Sequence, residues 1–255
     1  MPNNNILTIE NLSKSFDGIQ AVNNCSFNVS SGSITGLIGP NGAGKTTVFN
    51  LITGFLPQDS GNVFFRQNLI DKEPTHNIFK KGLVRTFQIP RELKKMTVLE
   101  NLLVVPKNQI GENIWSPLFS FKKIQREEET NINKAKDILD FIRLNHLTNE
   151  YAGNLSTGQK KLLELARTLM SDPKLVLLDE PVAGVNPTLV NDLMDNIRRS
   201  NEELGITFLI IEHNMNFIMN LCDPIIVLSN GTKIAEGTAK QIKSNQNVVN
   251  AYLGG

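Results

Sequence analysis

The sequence predicts an α/β fold built on a mainly parallel sheet, and three observations support this class. Short apolar runs alternate with helical patterns along the chain, as they do in repeated strand–helix–strand units. A glycine-rich segment joins one apolar run to a helical pattern, and a pair of carboxylates directly follows another. A chain of 255 residues is long enough to bury a large core, so one domain with an inserted lobe is expected.

The strand candidates are residues 34–38, 175–178, 206–211 and 225–228. Asn230-Gly231 follows the last of them, and this pair is preferred in tight hairpin turns, so an antiparallel ending over 233–235 is expected. Apolar residues at helical spacing predict one helix after Ser156, one from about Pro187 and one around 132–142. Residues 106–124 have no steady period and are interpreted as a surface insert. The charge run 126–129 is interpreted as the solvated start of the third helix.

The composition excludes several classes of protein. Hydrophobic residues make up 40% of the chain, charged residues 20%, and the formal net charge is +1. Such a balance creates no broad positive field, so nucleic acid is not an expected partner. Cys25 and Cys222 lie far apart, which indicates buried thiols in a reducing compartment. No apolar run is long enough to cross a bilayer, and the first residues show no secretory signal, so a membrane role would need a partner.

The glycine-rich segment fits the P-loop pattern and stands between a predicted strand and a helix. Its residues are Gly39, Pro40, Asn41, Gly42, Ala43, Gly44, Lys45 and Thr46. Glycines let the backbone curl around phosphate oxygens, and the helix N-terminus adds the positive end of its dipole. We expect Lys45 to reach the β- and γ-phosphates, Thr46 to offer a hydroxyl oxygen to Mg²⁺ and Thr47 to contact the α-phosphate.

Asp179 and Glu180 end the buried strand 175–178, at the sheet edge where open α/β folds bind ligands. We expect Asp179 to hold Mg²⁺ through its water shell. Glu180 is in position to polarise the water that attacks the γ-phosphate. The alternative is a solvent-facing acidic pair, and the P-loop earlier in the chain argues against it.

A pentapeptide identifies the family that the chain resembles. Leu155-Ser156-Thr157-Gly158-Gln159 resembles the signature sequence of ABC ATPases, usually Leu-Ser-Gly-Gly-Gln, and the resemblance spans essentially the whole chain. It implies that Ser156, Gly158 and Gln159 bind the γ-phosphate of ATP held by an opposite subunit. Read alone, Ser156 is simply a helix N-cap, and both roles can coexist. Thr157 departs from the usual glycine and reduces backbone freedom.

Other positions match family motifs one by one. Gln88 resembles the Q-loop glutamine, which contacts Mg²⁺ or the attacking water. His213 resembles the switch histidine, which contacts the γ-phosphate and steadies the water held by Glu180. Phe16 lies where family members place an aromatic ring against adenine, although a core role is the alternative. Asn186 replaces a common aspartate in the segment that resembles the D-loop, and it can hydrogen-bond without carrying charge.

The resemblance implies a P-loop NTPase (RecA-like) core with an antiparallel β subdomain and an inserted α-helical subdomain. Residues 1–255 would form one domain, with the core in 1–88 and 154–255 and the helical insert in 89–153. The segments 82–88, 96–102, 183–187 and 251–254 resemble the LivG type, which comprises ATPases of branched-chain amino acid importers, with urea and amide importers as close relatives.

The partners that this resemblance implies are transmembrane permease subunits, a second ABC ATPase subunit in a hetero- or homodimer and, indirectly, a solute-binding protein. The cofactors are ATP and Mg²⁺, and the location is the cytoplasmic face of the membrane. Alternatives are the ATPase of a lipopolysaccharide exporter, a soluble ABC protein acting on ribosomes or DNA, and a P-loop kinase. The two cassettes or long coiled coils of the soluble ABC proteins are not found in the sequence, and a kinase would have no signature helix.

Overall fold

The computed structural model describes residues 4–86, 92–106 and 121–253. The chain divides into two compact units. The first comprises Met1–Gln88, Lys174–Ala183 and Ile197–Gly255, and the second comprises Ile89–Pro173 and Gly184–Asn196. The helix that follows Ser156 lies in the second unit. Its amphipathic face packs with other helices of the second unit.

Strands and helices alternate along the described chain as the sequence predicts. The strands are β1 (Asn5–Phe16), β2 (Ile19–Ser30), β3 (Ile34–Ile38), β4 (Ser60–Phe65), β5 (Asn68–Leu69), β6 (Leu83–Arg85), β7 (Leu175–Asp179), β8 (Thr207–Ile211), β9 (Ile225–Ser229) and β10 (Thr232–Gly237). The helices are α1 (Lys45–Ile52), α2 (Thr75–Lys80), α3 (Val98–Leu103), α4 (Phe121–Phe141), α5 (Thr157–Met170), α6 (Pro187–Leu204), α7 (Met215–Leu221), α8 (Ala239–Ser244) and α9 (Gln246–Leu253). None of the helices in the described ranges is long and apolar enough to span a membrane.

The first unit contains a mainly parallel sheet, which confirms the predicted fold class. Across the sheet the strands lie in the order β10, β9, β3, β8, β7, β6. Every neighbouring pair is parallel except β10 with β9. The four predicted strands are confirmed, and their continuous apolar runs are buried on both faces.

The carboxyl ends of three parallel strands meet at one edge of this sheet. Ile211 at the end of β8 pairs with Leu37 of β3 on one side and with Asp179 of β7 on the other. The segments that follow these strands therefore begin side by side, and this is the edge where an α/β sheet binds ligands.

The antiparallel ending is also confirmed. Asn230 has φ 47° and Gly231 has φ 75°, the two positive values that a type I′ hairpin requires. Strand β10 then pairs antiparallel with β9, with Thr232 opposite Ser229.

A second, antiparallel sheet in the first unit has the strand order β2, β1, β4, β5. No strand of this sheet was assigned from the sequence, where the antiparallel subdomain rested on family resemblance alone. Register shifts interrupt the pairing of β1 with β2, including one between Ile9 and Leu12. Such bulges break the alternation of buried and exposed side chains by which a strand is recognised.

Helices α4, α5 and α6 confirm the three predicted helical segments, with one correction. Helix α4 begins at Phe121, so the charge run 126–129 lies within the helix rather than at its start. No glycine or proline separates Phe121 from the charged residues, and nothing interrupts the helix there. The predicted insert 106–124 falls mostly at 107–120, outside the described residues.

Both cysteines are buried free thiols, as expected. Burial raises the pKa of Cys25 to about 11 and that of Cys222 to about 12. Neither thiol therefore ionises near neutral pH, which fits a structural role in the core.

Candidate functional site

The glycine-rich segment 39–46 lies between β3 and α1, where glycine is required at two positions. Gly44, the N-cap residue of α1, has φ 93°, and no side chain caps the helix. A Cβ atom at Gly44 would lie 2.4 Å from the carbonyl oxygen of Ala21, and one at Gly39 would lie 2.1 Å from that of Leu228. Glycine has no Cβ atom, so at these two positions the backbone can take the tight curl of a phosphate-binding loop.

Lys45 begins α1 and is almost completely buried, with 6% of its surface exposed. Its Nζ donates hydrogen bonds to the carbonyl oxygens of Gly39 at 2.9 Å and Pro40 at 3.0 Å. Burial lowers the pKa of the Lys45 ammonium, and the charges of Glu180 and Asp179 oppose that shift. The lysine therefore stays beside the loop as a poorly hydrated cation, for which an anion is the natural partner.

A cavity of about 340 Å³ opens in front of this loop. The residues that line it are Ala21, Asn41, Gly42, Ala43, Gly44, Lys45, Thr46, Thr47, Glu180 and His213. The fold thus brings two separately predicted groups, Glu180 and His213, to the P-loop. Phe16 does not line the cavity, but it pairs with Ile19 in the hairpin that leads to Ala21, and the residue is 41% exposed.

Glu180 and His213 are in contact beside the loop. His213 Nε2 lies 3.2 Å from Glu180 Oε1, and the backbone N–H of Glu180 donates to the carbonyl of Ile211 at 2.9 Å. Glu180 has φ 49°, a left-handed conformation that is uncommon outside glycine and is held mainly at functional sites. This backbone conformation gives the carboxylate a fixed place at the edge of the sheet.

Glu212 organises the same region, and sequence reasoning gave it no role. One carboxylate oxygen accepts from the N–H groups of His213 at 2.9 Å and Asn214 at 3.1 Å, and the other accepts from that of Val182 at 2.8 Å. Glu212 is only 4% exposed, so these charge-assisted bonds form in a buried setting. They tie the turn after Glu180 to the segment that carries His213.

Asp179 is also buried, and its neighbours include a cation. Arg85 Nη2 donates to Asp179 Oδ2 at 2.8 Å, and Arg85 Nη1 donates to the side-chain oxygen of Asn50 at 2.6 Å. In the sequence, Arg85 stands out only as part of the segment 82–88, which carries the family resemblance. The pairing arises because β6 and β7 are neighbours in the sheet, with Arg85 opposite Leu177.

Thr46 and Asp179 offer a hydroxyl and a carboxylate oxygen, which are the ligands that Mg²⁺ prefers. Within the described part of the chain, no group of three or more His, Cys, Asp or Glu side chains could enclose a metal by itself. This donor set fits a metal that completes its coordination with phosphate oxygens and water. Gln88, the third predicted metal contact, lies outside the described residues.

The predicted signature lies at the N-terminus of α5, in the second unit. Ser156 forms a capping box with Gln159: the serine Oγ accepts from the Gln159 N–H at 3.3 Å, and Gln159 Oε1 accepts from the Ser156 N–H at 2.9 Å. Ser156 is therefore an N-cap, which was the simpler of its two readings. The exposed Thr157 begins the helix.

Gly158 and Asn186 each have a structural task in this unit. A Cβ atom at Gly158 would lie 2.3 Å from Leu189 Cδ1, so the glycine permits close packing against α6. Asn186 Oδ1 accepts from the N–H of Leu189 at 2.9 Å, which is the bond of a helix N-cap. The uncharged Asn186 thus performs a local role that an aspartate would share.

The C-terminal helix α9 reaches the phosphate-binding loop. A cavity of about 570 Å³ is lined by Pro40, Asn41, Ser229, Asn230, Ile234, Asn247, Asn250 and Ala251. Burial raises the pKa of the neighbouring Tyr252 hydroxyl, while the backbone of Gly39 opposes that shift. Sequence reasoning used this segment only as a family marker and missed its position beside the loop.

Comparisons with known proteins agree with this geometry. A family model described as ABC transporter matches residues 22–183, and one described as branched-chain amino acid ATP-binding cassette transporter matches residues 232–255. The probable branched-chain amino acid transport ATP-binding protein LivG of Archaeoglobus fulgidus is 47% identical over 98% of this chain and 95% of its own length. Its counterpart from Methanocaldococcus jannaschii is 45% identical over 98% and 97%.

Solved structures give the same result. The ADP conformation of an ATP-binding cassette of an ABC transporter matches with a TM-score of 0.85 and 44% identity, covering 98% of this chain and 99% of that one. A nucleotide-free ATP-binding cassette from an ABC transporter matches with a TM-score of 0.84 and 43% identity, covering 98% and 100%.

Proposed function

The chain belongs to the ATP-binding, ATP-hydrolysing proteins of ABC transporters, of the LivG or branched-chain amino acid type, and from that premise we propose that it energises amino acid import. The observation that carries the substrate class is the match of residues 232–255 to a model specific for branched-chain amino acid transporters. The same match favours an importer over a lipopolysaccharide exporter. A related small polar solute is the remaining variant of this proposal.

ATP binding would use the cavity in front of the P-loop. The uncapped N-terminus of α1 and the buried cation Lys45 attract the triphosphate. Lys45 now donates to two carbonyl oxygens of the loop, and it would turn from them to the β- and γ-phosphates. Thr47 would contact the α-phosphate, and the exposed ring of Phe16 would stack on adenine.

Hydrolysis would depend on the groups that face the loop from the neighbouring strands. Glu180 accepts a proton from the attacking water, and His213, 3.2 Å from that carboxylate, orients Glu180 and contacts the γ-phosphate. Thr46, Asp179 and Gln88 would hold Mg²⁺, which when bound offsets the charge of the phosphates. Glu212 keeps His213 and Val182 in fixed positions through both carboxylate oxygens.

A second cassette would complete the site. One chain supplies one P-loop and one signature, and we infer that Ser156, Gly158 and Gln159 contact the ATP held by an opposite subunit. Ser156 Oγ and the first N–H groups of α5 are suited to an anion. Hydrolysis would then separate the two subunits by restoring charge repulsion.

Permease subunits would receive this motion on the cytoplasmic face of the membrane, with a solute-binding protein as an indirect partner. We place the contact with the permease at a cavity of about 720 Å³ beside β6, the strand that precedes Gln88 in the sequence. Phe55, Ile78 and Phe79 line it, and Phe55 is 58% exposed. A helix of the permease with a large apolar side chain would fit such a surface.

The proposal is tested by assembling this chain with the membrane proteins that copurify with it, supplying the solute-binding protein, and measuring ATP-dependent leucine uptake in vesicles. We expect uptake with the wild-type chain and none with Glu180→Gln, while Glu202→Gln, an exposed helix position, behaves as wild type. Uptake of urea or an amide instead of leucine would change the substrate assignment. ATP hydrolysis with no solute movement in either direction would contradict the transport role.

A further inference from the structure

Arg85 contacts the carboxylate that is proposed to face the metal, and it also contacts two residues of α1. Its Nη2 donates to Asp179 Oδ2 at 2.8 Å, and its Nη1 donates to Asn50 Oδ1 at 2.6 Å. Its guanidinium carbon lies 5.6 Å from the centre of the Phe49 ring. Asn50 and Phe49 belong to α1, the helix that follows the P-loop, so Arg85 links that helix to the end of β7.

The ion pair is buried on both sides. The side chain of Arg85 is 8% exposed and that of Asp179 is 7% exposed. A buried carboxylate requires a partner of opposite charge, and removal of one member of such a pair is strongly destabilising. Arg85 therefore supplies at Asp179 the positive charge that Mg²⁺ would also supply.

Two effects of Arg85 on metal binding oppose each other. Its hydrogen bonds hold the Asp179 carboxylate in one orientation, which favours a metal that uses the same group. Its positive charge repels a divalent cation at the same carboxylate, and this repulsion is strong because the surroundings are largely shielded from water. The short aspartate side chain loses little conformational entropy when it is held in one orientation. The electrostatic repulsion between Arg85 and Mg²⁺ therefore outweighs the benefit of holding the Asp179 carboxylate in place.

Resting on the proposed function, we propose that Arg85 is an internal counter-ion that competes with Mg²⁺ for Asp179 and so promotes release of the metal–ADP product. Arg85 is a positioning residue in this scheme, since it acts through Asp179. Arg85 also lines the 720 Å³ cavity beside β6. A permease bound at that cavity would therefore lie next to Arg85.

The test compares ADP affinity in Mg²⁺ with ADP affinity in EDTA, using a fluorescent ADP and the purified full chain. For Arg85→Gln we expect the ratio of the two affinities to rise about tenfold over wild type, with Mg²⁺–ADP dissociating about tenfold more slowly. Arg85→Lys keeps the charge but loses one of the two hydrogen bonds, and its ratio should lie closer to wild type than that of Arg85→Gln. Arg126→Gln makes the same change in net charge at an exposed site in α4 and should leave the ratio unchanged.

An unchanged or lower ratio in Arg85→Gln would overturn the proposal while leaving the ATPase assignment intact. Absence of Mg²⁺–nucleotide binding by the wild-type chain would instead contradict the proposed function itself.

A second measurement applies if Arg85→Gln folds poorly. Urea denaturation of Arg85→Gln, Asp179→Asn and the double variant tests the pairing directly, because neutralising both partners removes the unpaired buried charge. The double variant should regain stability that Arg85→Gln loses. A double variant no more stable than Arg85→Gln would contradict the role of Arg85 as a counter-ion.

Discussion

Two helix N-termini in this protein are proposed to bind phosphate, and they are built differently. The N-terminus of α1 begins after Gly44, has no side-chain cap and includes the buried Lys45. The N-terminus of α5 is closed by the capping box of Ser156 and Gln159. The N-terminus of α1 can therefore bind an anion with groups from a single chain. The second already satisfies two backbone N–H groups with side chains, and a ligand would be added to a helix that is stable without it.

The difference predicts which of the two N-termini is needed for nucleotide binding and which for completing the reaction. A phosphate-binding loop without side-chain caps depends on backbone shape, so small steric changes should abolish binding. A capped helix N-terminus should tolerate substitution with a modest loss of stability, and any larger effect would reveal a contact outside the single chain.

Glu180→Gln should have the largest effect, because it removes the proposed base beside the open N-terminus while leaving that N-terminus unchanged. We expect kcat for ATP hydrolysis to fall about 10²–10⁴-fold, with ATP affinity retained. Steady-state phosphate release and equilibrium nucleotide binding measure the two quantities. Near-normal turnover would contradict the assignment of Glu180.

Gly44→Ala should weaken nucleotide binding about 10- to 100-fold, because its Cβ would lie 2.4 Å from the Ala21 carbonyl oxygen and displacing that backbone costs about 1–3 kcal/mol. Gly18→Ala is the matched control. Gly18 has φ 85° and nothing within 4 Å of its Cβ position, so the control should lose stability without losing nucleotide affinity. Titration with fluorescent ADP distinguishes the two variants. Equal losses of affinity would show that backbone strain, and not the shape of the loop, causes the effect.

Ser156→Ala should cost about 1 kcal/mol of stability through loss of the cap and leave nucleotide affinity of the isolated chain unchanged. Thr97→Ala removes an equivalent capping box from α3 and should cost a similar amount. In the assembled transporter, only Ser156→Ala should also reduce hydrolysis. If both variants hydrolyse ATP equally well, Ser156 is a cap alone and the proposed contact across the dimer is wrong.

The smallest effect concerns pH and the lysine at the open N-terminus. Burial lowers the Lys45 pKa in the folded chain from 10.5, so between the lowered value and 10.5 the unfolded chain binds more protons at this group. Its contribution to the free energy of unfolding therefore rises with pH in that window, by less than about 1.4 kcal/mol per pH unit. Urea denaturation of wild type and Lys45→Met, followed from pH 8 to 10.5, should show wild type gaining relative stability. A constant difference would contradict the direction of the shift.

Local patterns predicted much of the fold and part of the candidate site. The strand at 34–38 and the turn at Asn230-Gly231 were predicted correctly. A short apolar run forms a buried strand, and an Asn-Gly pair forms a tight turn, in most folds. Strands β1 and β2 were not predicted. Their bulges disturb the period of two, and only pairing across the sheet reveals them.

The sequence by itself determined the loop 39–46, the carboxylates Asp179 and Glu180 and the cap at Ser156, because each depends on residues that are adjacent or a few positions apart. Tertiary structure alone decided that Arg85 pairs with Asp179, that Glu212 holds both Val182 and His213, and that α9 reaches the loop. Those contacts depend on which strands and segments become neighbours. The order of strands in a sheet is set by packing of the whole unit, which spacing along the chain does not encode.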